Sequence, residues 1–229
     1  VATTTSRVTE TLLFFIFFLY FFANSQEIGS VDFEDRPFQL QIKKRAFILE
    51  SLQDYEAYKI ALPEEKEFIY WTNHARLFPQ SFRDSILIPF LELQPKLKGS
   101  YANSLLKDLV NQTPLPLLEP NTLLTETARA HAADLARLKN GTISHKSSSG
   151  QSFSSRMKSK GIKYCYAENI AESPQNSLVA LLLLYLDINV PDLGHRFNLF
   201  NPSYTQMGVG VSKRTNRQLV VVQDFACTQ

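Results

Sequence analysis

The clearest periodicity in the chain runs from Thr122 to Lys139, where Leu124, Ala128, His131, Leu135 and Leu138 recur at spacings of four and three. That pattern predicts an amphipathic helix with His131 on its apolar stripe, as a satisfied core histidine. A second helix is expected from Pro63, with Glu64 and Glu65 in its first turn, Phe68, Trp71 and Ala75 on one face, and Pro79 ending it. His74 lies near the edge of that face and reads as structural. Ile42 to Tyr58 and Tyr101 to Val110 carry weaker helical patterns, Ser81 to Leu93 is a short apolar-rich stretch, and a short helix is expected around Ser152 to Lys160. Asn176 or Ser177 can cap a helix through Leu186 that is apolar almost all round. At that length it cannot span a bilayer and reads as buried. The runs "QMGVGV" and "QLVVVQDFA", separated by a polar turn at Lys213 to Arg217, predict a closing hairpin. Helices followed by a late cluster of strands indicate α+β layers rather than alternating βαβ units.

The apolar run Leu12 to Ala23 is twelve residues long, too short for a membrane span of about 20 residues. It matches the apolar region of a signal peptide. Ala23-Asn24-Ser25 supplies small residues, so cleavage is expected before Gln26, with an uncleaved N-terminal anchor as the alternative. On that reading residues 1–25 are a signal peptide, 26–62 an N-terminal extension and 63–229 the main domain, in a secreted, periplasmic or extracellular protein. No transmembrane span is expected in the mature chain.

Composition adds two exclusions. With 44% hydrophobic and 12% aromatic residues the chain buries a real core and is not a disordered tail. A formal net charge of +2 gives no electrostatic case for nucleic acid. Arg156, Lys158, Lys160 and Lys163 read most simply as a solvated loop. Export places the two cysteines, Cys165 and Cys227, in an oxidising compartment. A bridge would add about 4 kcal/mol in the chain-entropy model, and two buried free thiols are the alternative. The sequons at Asn111 and Asn140 matter only in a eukaryotic secretory pathway. There is no GxSxG elbow, and a cysteine nucleophile beside Glu168 would still need an imidazole and exposure.

The most unusual string is "DLGHRFNLFNP", Asp192 to Pro202, with a histidine and an arginine after a glycine and an Asn-Pro turn signal at its end. Gly194 would let the backbone turn, Asn198 would tie the loop to its own backbone, Phe197 and Leu199 would face the core, and Arg196 would pair with a carboxylate. The string gains partners when read in order with the segment "LTETARAHAADLARLKNGTISH" ending at His145, "AENIA" around Glu168, "MGVGV" and the terminal "VVVQDFA".

This ordered set, over about residues 120 to 227, resembles the CAP superfamily of cysteine-rich secretory proteins, antigen five and class-one pathogenesis-related proteins. It most resembles the compact bacterial type, whose domain would start near Pro63. The resemblance implies a three-layer α-β-α sandwich with two histidines and two acidic residues converging in a surface cleft. His145, Glu168 and His195 match the first histidine, the first glutamate and the second histidine. The fourth position has no glutamate, so Asp187 is the preferred candidate and Asp192 the other. Tyr185 stands where many relatives have tryptophan.

Two imidazoles and a carboxylate are a common catalytic zinc set, so His145 and His195 are candidate metal ligands with Glu168 as a third. Asp187 would orient a histidine or act as general base. Three functions follow. The first is a secreted protein binding an extracellular lipid, peptide, glycan or protein ligand, with or without a divalent metal. The second is a metal-dependent, peptidase-like hydrolase. The third is a structural or interaction module with a vestigial site.

Overall fold

The closing hairpin forms as its alternation requires. β3 (Gln206–Lys213) and β4 (Leu219–Ala226) pair antiparallel, with Val211 opposite Val221 and Met207 opposite Phe225. Both runs are β-branched and apolar because the hairpin occupies the middle of a four-stranded sheet ordered β1-β3-β4-β2. β1 is a two-residue parallel stub (Glu119–Pro120) beside β3. β2 (Tyr166–Ser173) is the opposite edge and runs antiparallel to β4. The structure, a computed structural model, describes residues 36–39, 42–138 and 143–228. The apolar run 12–23, the expected cleavage point and the sequon at Asn140 lie outside those residues.

β2 is a strand that alternation does not reveal. Glu168, Asn169, Glu172 and Ser173 are polar on both of its faces. They are nonetheless inward or half-buried because side chains from distant segments meet them, as Arg214 meets Glu172 through a 2.6 Å hydrogen bond. The expected cluster of two late strands is therefore a sheet that also recruits this earlier, polar-coded edge.

Helices cover both faces of the sheet. On the first face lies α7 (Thr122–Arg137), capped by Asn121, whose side chain accepts from Leu124 N at 3.1 Å. Ala128, Ala132 and Leu135 of α7 pack on Ile170, Val220 and Val222. The two glycines of "MGVGV" explain how closely. A Cβ at Gly208 would lie 2.1 Å from the backbone of Leu124, and one at Gly210 would lie 2.3 Å from Arg129 N. The helix backbone rests on β3 where a side chain would otherwise be. Gly208 and Gly210 are thus contact points rather than turns.

On the second face, α3 (Pro63–Leu77) and α9 (Ser177–Leu186) pack on Val209, Val221 and Phe225. Asn176 caps α9 by accepting from Val179 N at 2.9 Å, and Glu64 of α3 accepts from Ser177 N at 3.0 Å. α9 is buried along nearly its whole length, so its all-round apolar character is core. Before α3, the expected Ile42–Tyr58 helix is two shorter ones, α1 (Ala46–Leu52) and α2 (Glu56–Lys59). The break at Gln53 lets Ile48 and Leu52 on one side and Ala57 and Tyr58 on the other enter the same core, which a continuous helix would point apart. After α3 come α4 (Pro79–Phe82), one π-helical turn (Arg83–Leu87) and α5 (Ile88–Leu93), then a 3₁₀ turn at Pro95–Leu97 and α6 (Ser100–Asn111). α8 (Phe153–Ser159) lies beside α7, and α10 (Gly194–Leu199) follows α9.

α10 revises the reading of "GHRFNL" as a loop. Its helical period carries Arg196 and Leu199 inward together and turns Phe197 out, 66% exposed. No helix among the described residues is long and apolar enough to cross a membrane.

Candidate functional site

Two histidines are each held by one carboxylate. His145 Nδ1 lies 2.8 Å from Glu168 Oε1, and His195 Nδ1 lies 2.5 Å from Asp187 Oδ1. An ionised carboxylate only accepts, so each imidazole donates from Nδ1 and leaves Nε2 as a lone-pair acceptor in the neutral ring. Both Nε2 atoms are buried and have no hydrogen-bond partner in the protein.

The first pair stands on the α7 face of β2. Glu168 Oε2 also receives the Arg156 guanidinium at 2.5 Å, and Arg156 Nη1 donates to His145 O at 2.8 Å, fixing both ends of the pair. Arg156 is therefore not part of a solvated loop. α8 turns Arg156 and Met157 inward, while Lys158 faces solvent and Lys160 reaches Glu126. Asp224 sits directly across from Glu168 in the β2–β4 register, fully buried, with no donor on either oxygen. Burial and the adjacent Glu168 charge push the Asp224 carboxyl well above the usual carboxylate range. Burial would raise Glu168 as well, but the His145 hydrogen bond and the Arg156 charge hold it below its ordinary value. His131, on α7, lies near the same cluster. Its Nε2 meets Ser144 O at 2.8 Å, and burial lowers its pKa. Neither Arg156 nor Asp224 carries a sequence signal of its own. Only helix phase and strand register bring them to Glu168.

The second pair is built locally. Asp187 ends α9 in the left-handed region at φ 53°, and Asn189 and Leu193 follow at φ 63° and 52°. This tight path returns the chain so that Asp187 Oδ2 accepts from Arg196 N at 2.8 Å while Oδ1 holds His195. Asp192 accepts from Gly194 N at 3.3 Å and does not meet a histidine. Arg196 is fixed by the carbonyls of Tyr185, Leu186 and Tyr101, by Ser104 and by Asp108 at 2.9 Å. Asn198 bonds Asn169 Oδ1 at 2.9 Å rather than its own backbone, and Asn169 donates to His195 O at 3.2 Å. Consecutive residues of β2 thus hold the two sites. Glu168 holds His145 on one face, and Asn169 holds the His195 backbone on the other.

Just before β2, Cys165 is bridged to Cys227, at the end of β4, across a Cα–Cα distance of 5.5 Å. The bridge clamps the sheet edge three residues from both Glu168 and Asp224.

The profile of the cysteine-rich secretory protein family, CAP, matches residues 72–225. The chain belongs to the CAP family. Its three layers are the α-β-α sandwich of the CAP domain, with the two histidine–carboxylate pairs inside the matched region. Among solved CAP-like structures, an outer surface protein of Borrelia burgdorferi is 21% identical over 56% of this chain and 90% of its own, with TM-score 0.42. Venom allergen-like protein 4 of Schistosoma mansoni is 14% identical over 74% of this chain and 91% of its own, with TM-score 0.42. A cysteine-rich secretory protein of Staphylococcus aureus is 17% identical over 58% of this chain and 39% of its own, with TM-score 0.36. No curated protein matches the chain.

The donor set limits what metal this CAP domain would take. No group of three or more His, Cys, Asp or Glu side chains suited to a metal occurs among the described residues. Glu168 has one oxygen on His145 and the other on Arg156, so it backs an imidazole rather than serving as a free ligand. Asp187 is occupied in the same way. The orphaned Nε2 atoms with carboxylates behind them have the outer-shell pattern of metal-binding imidazoles. At most they offer two nitrogens, short of the three protein ligands of a hydrolytic zinc site.

Proposed function

We propose that this CAP protein is exported and binds an extracellular ligand through the Nε2 atoms of His145 and His195. The observation that carries the reading is that both atoms are buried and unpartnered while Nδ1 of each ring is locked by a carboxylate. Two fixed acceptors suit the N–H or O–H donors of a peptide or glycan. A divalent cation such as zinc is the alternative occupant, held by the same two nitrogens with solvent or ligand completing its shell. When bound it would act as a Lewis acid on a ligand oxygen. Glu168 and Asp187 would then hold the rings in orientation from behind. The metal-dependent hydrolase is the weaker reading, because both carboxylates are engaged and no group of three metal-ligating side chains occurs among the described residues. A lipid ligand loses the support that an exposed α9 would have lent, because that helix is core.

Zinc titration by calorimetry on the purified protein, beside His145→Ala and His195→Ala, tests the site. One equivalent bound by the wild type and lost in both variants would show a shared metal site and justify a hydrolase screen. No binding by a folded wild type would remove the metal and leave peptide and glycan arrays as the test of the binding reading. If neither array nor metal engages the protein, the two pairs are structural. Export is tested by mass spectrometry of protein recovered from the medium, where Gln26 is the expected first residue.

A further inference from the structure

His74 packs among the rings of Tyr70, Trp71, Phe78 and Phe82, as a structural histidine should, and takes no part in either histidine–carboxylate pair. It is 4% exposed, and its Nδ1 is buried with no hydrogen-bond partner. Burial and the nearby Arg45 charge push its pKa down to about 4, so the ring is neutral and offers one donor and one acceptor. It lines a recess of about 270 Å³ between α3, the segment before α1 and the α4–α5 stretch, with no β2 residue in its lining.

Tyr70, Trp71 and Ile86 form the apolar part of the recess, with Ser81 and Ser85 at its side. The polar ends of the two aromatic walls are already engaged. Trp71 Nε1 donates to Glu67 at 3.1 Å, and Tyr70 OH accepts from Arg45 N at 2.7 Å. Lys43 and Arg45 supply the positive charge at the mouth. Arg45 lies 4.2 Å over the ring of Phe78 and reaches Ser81 Oγ at 3.4 Å, which holds the guanidinium in place without neutralising it. Lys44, between them, is neutralised by Glu67. Among the described residues no carboxylate lines the recess.

We propose that this recess is a binding site for a small monocarboxylate with a flat apolar body. Its carboxylate would meet Arg45, Lys43 and the His74 ring, and its body would lie against Trp71 and Tyr70. A phosphate dianion fits less well, since a single imidazole and two cations at an exposed mouth would have to replace the hydration of two charges. The volume lies just under the range of about 300–1,000 Å³ usual for ligand sites, which suits a molecule of benzoate size.

The chain has a single tryptophan, so its emission reports directly on one wall of this recess. The experiment is a titration of the whole protein with benzoate, followed by Trp71 fluorescence, with neutral benzamide and inorganic phosphate run alongside. The expected result is a saturable change with benzoate, none with benzamide or phosphate at equal concentration, and affinity about fivefold weaker in Arg45→Gln. Arg45 is exposed, so that variant keeps its fold. In the wild type, benzoate should also shift the His74 ring resonances and leave those of His131, His145 and His195 in place. His145→Ala should bind benzoate normally, which separates this site from the one proposed above. A non-saturable change, equal binding of benzamide, preference for phosphate or full affinity in Arg45→Gln would each overturn the proposal.

Discussion

Glu168 is 23 residues from the histidine it holds, whereas Asp187 is 8 residues from its own. The first pair exists only because sheet register, an inward-turned helix α8 and the Cys165–Cys227 bridge bring four chain segments together. The second exists because one turn doubles back through left-handed backbone at Asp187, Asn189 and Leu193. Their electrostatics differ accordingly. Glu168 shares its surroundings with a guanidinium and a second buried carboxyl, Asp224, while Asp187 divides its two oxygens between one imidazole and one backbone N–H. Equal-looking histidine–carboxylate contacts therefore depend on different parts of the molecule, and perturbations should separate them.

Arg156→Met should have the largest effect. It leaves Glu168 buried beside Asp224 without its cation, and losing one partner of a buried pair costs about 3–5 kcal/mol. Urea denaturation measures it, and a loss under about 1 kcal/mol would mean that the first pair does not rely on this network. Cys165→Ser should come next, at about 2–4 kcal/mol, because the bridge closes a separation of 62 residues at the edge that carries Glu168. The same urea experiment under reducing conditions should abolish the difference between wild type and variant. Neither change should disturb the His195 ring resonances if the second pair is as local as its construction indicates.

Asp187→Asn targets the second pair. Asparagine tolerates the left-handed backbone. Its carbonyl oxygen can accept from Arg196 N while its amide donates to His195 Nδ1 only if the ring changes tautomer, which puts the N–H on the buried, unpartnered Nε2, so a buried donor is stranded either way at a cost of about 1–3 kcal/mol. The His145 resonances should stay in place. A variant as stable as wild type would show that the tautomer of His195 set by Asp187 contributes little to stability.

The smallest and most diagnostic effect is in the pH profile. Asp224 has a folded pKa raised above its unfolded value, so the folded state holds a proton that the unfolded chain has released. Its contribution is complete below the ordinary carboxylate range and is lost as pH rises toward its raised value. His74 and His131 act in the opposite sense. Their lowered values cost stability as pH falls below the ordinary imidazole range, and His74 does so down to about 4. Asp224→Asn should therefore gain stability over wild type as pH rises, with no change in the acidic limb attributable to the histidines. Parallel curves for the two proteins would sink the protonated-carboxyl assignment.

The chain's pattern disclosed α7, the start of α3, the buried α9 and the β3–β4 hairpin, because each follows a periodicity imposed by one apolar face. Local chemistry also separated Asp187 from Asp192 as candidates, since the first ends a helix and the second precedes a glycine by two residues. The ordered motifs around His145, Glu168 and His195 carried the family. Other features were settled only by the fold. β2 is coded by polar residues that are inward only because Arg156, Asn198 and Arg214 come to meet them. Phe197 is outward because six residues around Gly194 adopt a helix rather than a loop. The glycines of "MGVGV" mark a helix–strand contact and not a turn. Arg156, Asp224 and His74 acquire partners, or a conspicuous lack of one, from packing alone. Periodicity records which face of an element is apolar, but the burial of a charge depends on counter-groups from elsewhere in the chain, and only the tertiary structure brings those together.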